Sequence, residues 1–317
     1  MRITRNRNKQ SKSSSNRKRV WPNRAQIVSG ALILSAGALT LAAVPNSFTS
    51  GTTVSSVAMN TNFSALDARI AALEDKLASV SNVTVNGHAT VRFTGVNVQV
   101  VNGQGLTESA NGTGNIIVGY DEVDNSGSSR CSLGVDPSSG IHVTNSGECA
   151  SAGGTWSTTG FKSGSHYVVV GGQNNYSRYG GLVVGYRNTS NYNYASISGG
   201  YNNVASNIYT SVSGGWLNTA SGQYASVSGG NGNTAIGNIS TVSGGYNNVA
   251  SGEVASISGG GGNTASNTAA SVSGGDNNTA SGIGANVSGG QGCNAGTSNK
   301  WAVGQASSAA CSATLGN

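Results

Sequence analysis

The sequence predicts an all-β chain: a parallel β-roll, or β-solenoid, of 15-residue coils preceded by a short N-terminal trimeric coiled coil. Three observations predict it. Residues 196–300 divide into seven consecutive 15-residue units, the apolar residues of 59–80 recur at spacings of 4 and 3, and Gly or Asn returns at one fixed place in nearly every unit. Looking for a fixed period comes first in a chain this rich in Gly, Ser and Asn, because stacked copies order residues that otherwise mark loops.

The N-terminus carries most of the charge. The chain has a formal net charge of +6 and pI near 9.2. Nine of its 17 Lys+Arg lie in residues 1–24 with no acid among them, leaving 8 basic and 11 acidic residues beyond, a net of −3. Outside its first residues the chain is mildly acidic, which removes the main support for nucleic-acid binding. The stretch IVSGALILSAGALTLAA (27–43) follows the basic run. A positive region, an apolar stretch and a small-residue boundary define residues 1–44 as an export signal or, uncleaved, an N-terminal membrane anchor. Both place the remainder outside the cytoplasm, extracellular or at the cell surface; a buried core helix is the third reading.

Residues 45–58 are a linker, and 59–81 carry Met59, Phe63, Leu66, Ile70, Leu73, Leu77 and Val80, an a/d seam of three heptads. With Phe63, Ile70 and Leu77 at a, Arg69 at g and Glu74 at the following e are an opposite-sign pair between neighbouring chains. Three heptads do not hold a helix in water without partners. The seam therefore predicts self-association, with three strands favoured; docking on its own domain is the alternative. Residues 82–114 are a β connector, on the alternation in VTVNGHATVRFTGVNVQVVNG (83–103). Residues 115–195 read as degenerate, Val-richer coils (NIIVGYDEV, HYVVVGGQNNYS, GLVVGYRNTSN) interrupted by an insertion, 124–165. Cys131 and Cys149 bracket part of that insertion, and Cys293 and Cys311 lie at the C-terminal end. Outside the cytoplasm disulfides form. Proximity favours 131–149 with 293–311 among three pairings, and free thiols are the other possibility.

Counting positions 1–15 from Ser196, position 2 is Val or Ile from Ile197 to Val287, and position 10 is Ala from Ala205 to Ala295. Position 8 is Asn203, Asn218, Asn233, Asn248, Asn263 and Asn278, then Cys293. Two short strands per unit, with side chains alternating in and out, put Val, Asn and Ala inside and Ser and Thr outside. Position 12 is Gly222, Gly237, Gly252 and Gly282, or Asn207 and Asn267, with Thr297 last; Gly and Asn there predict a left-handed corner. Successive coils stack at about 4.8 Å. The inward Asn column then forms a carboxamide ladder in which each amide satisfies its neighbour's. One Val or Ile per coil is too little apolar burial to order fifteen residues, so main-chain bonding between coils and burial between chains must supply the rest. The pattern decays over 301–317, a C-terminal cap in which Trp301 and Leu315 cover the open end.

The SVSGGxxNTASGxxA units resemble the head repeats of trimeric autotransporter adhesins, the YadA-like family, over about 115–317. That resemblance implies a left-handed parallel β-roll in a homotrimer, and an exported, non-enzymatic adhesin-like head or structural fibre, as an isolated trimer or a higher filament, that meets a host or environmental glycan or protein. The chain departs from the family in placing the coiled coil before the roll, in its period of fifteen, and in having no amphipathic strands after Asn317. The units are also similar to the xxNxVxG repeats of plant ice-binding β-rolls, which makes ice binding through outward Ser and Thr ranks the alternative function.

No catalytic constellation emerges. His88, His142 and His166 are isolated from any paired ligand spacing. The carboxylates are too scattered for a glycosidase pair. No GxxxxGK[ST] or GxSxG accompanies the glycines and serines, and Asp276 in GGDNNTASG has no counterpart in other coils, against a calcium-binding repeat. No metal and no cofactor is predicted; a polysaccharide-acting solenoid enzyme is the least favoured reading. The candidate contact residues are exposed turn tips, Tyr201, Tyr209, Trp216, Leu217, Tyr224 and Tyr246, which either meet a glycan or protein or fill the interface between chains.

Overall fold

The computed structural model describes residues 45–123, 130–131, 146–151, 156–157, 160–304 and 311–313. Residues 1–44, expected to be an export signal or anchor, most of the Cys-bracketed insertion, His142 and Leu315 lie outside them. The chain divides into two units, Met1–Asn97 and Val98–Asn317.

In the first unit, helix α1 (Ser56–Leu77) starts at Ser55, whose side chain accepts from the Ala58 N–H at 3.1 Å. This is an N-cap that satisfies one of the free donors of the first turn. The helix has no buried residue. Strands β1 (Val80–Val85) and β2 (His88–Phe93) follow as an antiparallel hairpin with Val85 opposite His88. Its turn is Asn86-Gly87, both at positive φ (50° and 82°), the residue pair that a two-residue hairpin with right-handed strand twist requires. Two expectations are corrected here. Val80 lies in β1, opposite Phe93, and not on the helix, so the seam on α1 ends at Leu77. The strand-like alternation of 83–103 yields strand only to Phe93, because the Asn-Gly turn closes a hairpin and, among the described residues, 97–103 have no strand partner.

The second unit is a parallel β-solenoid. Position 1–2 pairs stack in a ladder that runs from Ile116–Val118 through Val168–Gly172, Leu182–Tyr186 and Ser196–Ile197 to Asn286–Val287 and Trp301–Gly304. Position 9–10 pairs form a second ladder of nine strands among the described residues, from Asn175–Tyr176 to Asn294–Ala295. Ser196 lies beside Ser211 and that beside Ser226, so the rungs keep a register of fifteen. Leu182 pairs with Ser196 at an offset of fourteen, one residue being missing before the corner. Bridges at position 6 (Tyr186, Tyr201, Trp216, Asn231, Tyr246, Gly261, Asp276, Gln291) make a third line of contact.

The core is the inward set. Position 2 and position 10 are at most 1 % exposed from Ile197 to Ala295. Position 15 is equally buried, as Thr210, Ala225, Ser240, Ala255, Ala270 and Ala285. It lies two residues before position 2, so alternation puts both on one face.

The corner expected at position 12 is elsewhere. Left-handed backbone occurs at positions 5, 7 and 14: Gly200, Gly215, Gly230, Gly245, Gly260 and Gly275 at position 5 have φ of 85–92°, while Gly222, Gly237, Gly252 and Gly282 at position 12 are outside that region. At position 5 glycine is doubly required. A Cβ on Gly230 would stand 2.1 Å from the Gly245 carbonyl oxygen and 2.5 Å from Asn233 Nδ2. Position 12 needs glycine for space alone: a Cβ on Gly237 would lie 1.9 Å from the Gly252 oxygen. The Gly237 N–H donates to the Ala250 carbonyl of the next coil. Asn207 and Asn267 keep the stacking by another route, donating Nδ2 to the carbonyls of Ser221 and Ser281 at 2.9 and 3.0 Å. Residue size and side-chain hydrogen bonding, not a backbone angle, explain the Gly/Asn alternation there.

Candidate functional site

The inward Asn column is a continuous hydrogen-bonded spine, and its bonding differs from an amide-to-amide ladder. Each Asn is fully buried. Asn233 Oδ1 accepts from the Asn248 N–H at 3.0 Å, and its Nδ2 donates to the carbonyls of Gly229 in its own coil and Gly245 in the next, at 2.8 and 2.9 Å. Asn203, Asn218, Asn248, Asn263 and Asn278 repeat the arrangement. The side chain therefore satisfies the main chain at the glycine corner, adding a second donor to the position-5 carbonyl that already accepts from the position-6 N–H of the preceding coil, and bonding the position-4 carbonyl, which is the demand that buried backbone groups impose. The column also extends upstream through Asn188 and Asn174 to Asp121, whose Oδ1 accepts from the Asn174 N–H. Asn188 lies 15 residues before Asn203, in register, whereas Asn174 lies 14 before Asn188 and Asp121 lies 53 before Asn174, which takes these two out of a search at fifteen. Lys162 Nζ neutralises Asp121 at 2.9 Å from Oδ2.

The column ends at Cys293, whose N–H donates to Asn278 Oδ1 and whose sulfur is bonded to Cys311. Here strand Trp301–Gly304 continues the first ladder and Cys311–Ala313 closes it antiparallel, with Gly304 opposite Cys311. An antiparallel strand covers the end that a parallel coil would otherwise extend. Trp301 does not cover that end: it occupies an outward position 1, is 45 % exposed and donates Nε1 to Ser288 Oγ. Cys149 is also in a disulfide; the side chain of Cys131 lies outside the described residues.

The turn-tip residues fall in two separate outward columns. Tyr201, Trp216 and Tyr246 belong to position 6, with Leu217 beside them at position 7. Tyr186, absent from the sequence-based set, heads this column and stacks on Tyr201 at 5.8 Å between ring centres, with Arg187 over its other neighbourhood at 5.6 Å. Tyr201 and Trp216 are tilted at 6.5 Å. Tyr246 lies across Gly261, where a Cβ would come within 2.1 Å of its ring, and donates its hydroxyl to Asp276 Oδ1 at 3.1 Å. That hydrogen bond to a carboxylate holds its phenol above the ordinary tyrosine range.

Tyr209 and Tyr224 belong to position 14. With Tyr194 they form a stack, 5.4 and 5.3 Å apart and within 6° and 11° of parallel. Tyr179 meets Tyr194 edge-on. Ile239, Val254 and Ala269 continue the column, followed by Gly284 and Asn299. All eight residues from Tyr194 to Asn299 have φ between 55° and 64°. For a residue with a Cβ this conformation costs about 1–2 kcal/mol, and for β-branched Ile and Val it is a genuine outlier.

The remaining surface is hydroxyl-rich. Position 3 is an exposed serine in every regular coil, from Ser198 to Ser288. Among the described residues no three His, Cys, Asp or Glu stand close enough to hold a metal ion, and no helix is long and apolar enough to cross a membrane. His88 is exposed on β2, and His166 sits at a left-handed turn (φ 59°) beside the buried Tyr167. No family model matches the chain, and no curated protein matches it significantly.

Proposed function

We propose that this is an exported, non-enzymatic fibrous surface protein, in which three copies join through a coiled coil and carry left-handed β-rolls as an adhesin-like head or fibre subunit. One observation carries the reading: among the described residues, nothing covers the α1 seam. Met59, Phe63, Leu66, Ile70, Leu73 and Leu77 are 41–58 % exposed on a helix with no buried residue. A 22-residue helix with an open apolar stripe is marginal in water, and a heptad stripe is the surface that other copies of the same helix fill. The rigid stack of coils supports a structural or presenting role, since its fixed outward columns give a repeating face with residues that vary at the corners. The basic and apolar run of 1–44 supports export.

Light scattering of the full chain in detergent-free buffer after export tests the reading. Mass of three chains, reduced to one by Leu66→Asp with Leu73→Asp, is the expected result; a monomeric wild-type chain overturns it. Binding is then sought on immobilised glycans and matrix proteins. The exposed serine rank at position 3 favours ice binding as a second reading, and unimpeded ice recrystallisation at micromolar protein removes it.

A further inference from the structure

Positions 7 and 14 make the same backbone demand and are filled by different residues. At position 7 of the seven regular coils the left-handed residues are Asn202, Leu217, Gly232, Asn247, Gly262, Asn277 and Gly292, six of the seven being Gly or Asn. These are the types that adopt this conformation most cheaply. At position 14 the residues are Tyr194, Tyr209, Tyr224, Ile239, Val254 and Ala269 in six successive coils, and only then Gly284 and Asn299. Backbone geometry therefore does not select the position-14 residues, and their side chains must.

Contacts among the described residues of one chain do not supply the reason. Ring stacking rewards the three tyrosines. It does not extend to Ile239 and Val254: both are β-branched, for which this conformation is a genuine outlier, and they are 48 % and 50 % exposed. Tyr209 and Tyr224 are open to the same degree, 48 % and 50 %. Strain maintained beneath an open apolar column is the mark of a surface completed by something outside the chain. The position-6 column lacks this character, since it passes through Asn231, Gly261, Asp276 and Gln291.

We propose that the position-14 column from Tyr194 to Ala269 is the seam along which the rolls of two copies of this chain pack against each other. The argument for a second copy is spacing. The column offers one apolar side chain per coil, at the rise of a β-ladder, and has no charged member. A row of the same pitch meets it in register along its whole length, and another copy of this chain has that row. The proposal rests on the self-association inferred above and adds the face that the rolls use.

Photoreactive benzoylphenylalanine in place of Tyr224, and separately of Tyr246, tests it in the full chain. Irradiation is expected to give covalent multimers from position 224 and none from 246. Ile239→Asn with Val254→Asn is expected to act with opposite signs: each rung is relieved, so thermal unfolding of the dilute single chain is unchanged or moves up, while association of the rolls weakens at least tenfold. A multimer by light scattering that crosslinks from 246 but not from 224 overturns the seam and leaves self-association standing. A protein that is a monomer throughout overturns both. A double variant that associates as tightly as wild type also overturns the seam.

Discussion

Asn233 shows how a polar residue can hold a core together. Removing its amide in Asn233→Ala leaves the Asn248 N–H and the Gly229 carbonyl without partners and takes one of two donors from the Gly245 carbonyl, which keeps the Asn231 N–H. At roughly 1 kcal/mol or more for each unsatisfied group, the loss is about 2 kcal/mol or more. The outward Ser228→Ala stays within about 0.5 kcal/mol; guanidinium unfolding compares the two, and equal midpoints would refute the spine. Position 12 gives a ranking that side-chain size alone would reverse. Gly237→Ala puts a methyl against the Gly252 carbonyl and is expected to destabilise by about 1–3 kcal/mol. Gly237→Asn is expected to be milder, because the amide bonds the next coil as Asn207 and Asn267 do. Tyr167 and Tyr176 are 1 % and 2 % exposed, and burial pushes both phenols up to about 12, with the Asp121 carboxylate adding to Tyr176. A phenol near 10 when unfolded and about 12 when folded favours the fold below pH 10 and ceases to do so as pH rises to 12. Absorbance at 295 nm should show Tyr167 and Tyr176 ionising late, together with loss of the first coils. Ionisation of all tyrosines near pH 10 would contradict their burial.

The C-terminal cap is the element where chemistry changes. The last Asn of the spine would have no complete following coil to bond. Cys293 stands there instead, and its bond to Cys311 pins the antiparallel strand across the end. A loop of 18 residues closed by a disulfide is stabilised by about 3 kcal/mol relative to the open chain. Reduction, or Cys311→Ser with Cys293→Asn, is therefore expected to speed amide exchange at Ala302 and Val303 first and to leave the coils around Val227 unchanged. Uniform loss of protection along the roll would show that the cap is not a local closure. Helix α1 and the hairpin beside it teach a different lesson about elements. The heptads marked the helix, but the seam stopped three residues early because Asn86-Gly87 draws Val80 into a strand. That dipeptide was the legible signal for the hairpin, and the regular alternation around it masked it.

At the scale of the whole molecule the roll is a one-dimensional stack in which each coil is ordered mainly by its two neighbours. Interrupting one inner coil should split unfolding into two transitions. Asn233→Ala with Val227→Ala, both in the coil of residues 226–240, is expected to give them in a calorimetric scan, while a single cooperative peak would show coupling beyond neighbours. The sequence by itself determined the period, the two ladders and the inward Val, Asn and Ala, since each follows from residue type and alternation along the chain. Only the tertiary structure decided where the left-handed corners fall, how the Asn amides are satisfied, and that the aromatic tips form two columns. Those features depend on what the next coil places within a few ångströms, and adjacency across a coil is set by stacking, which residue order along one unit does not contain.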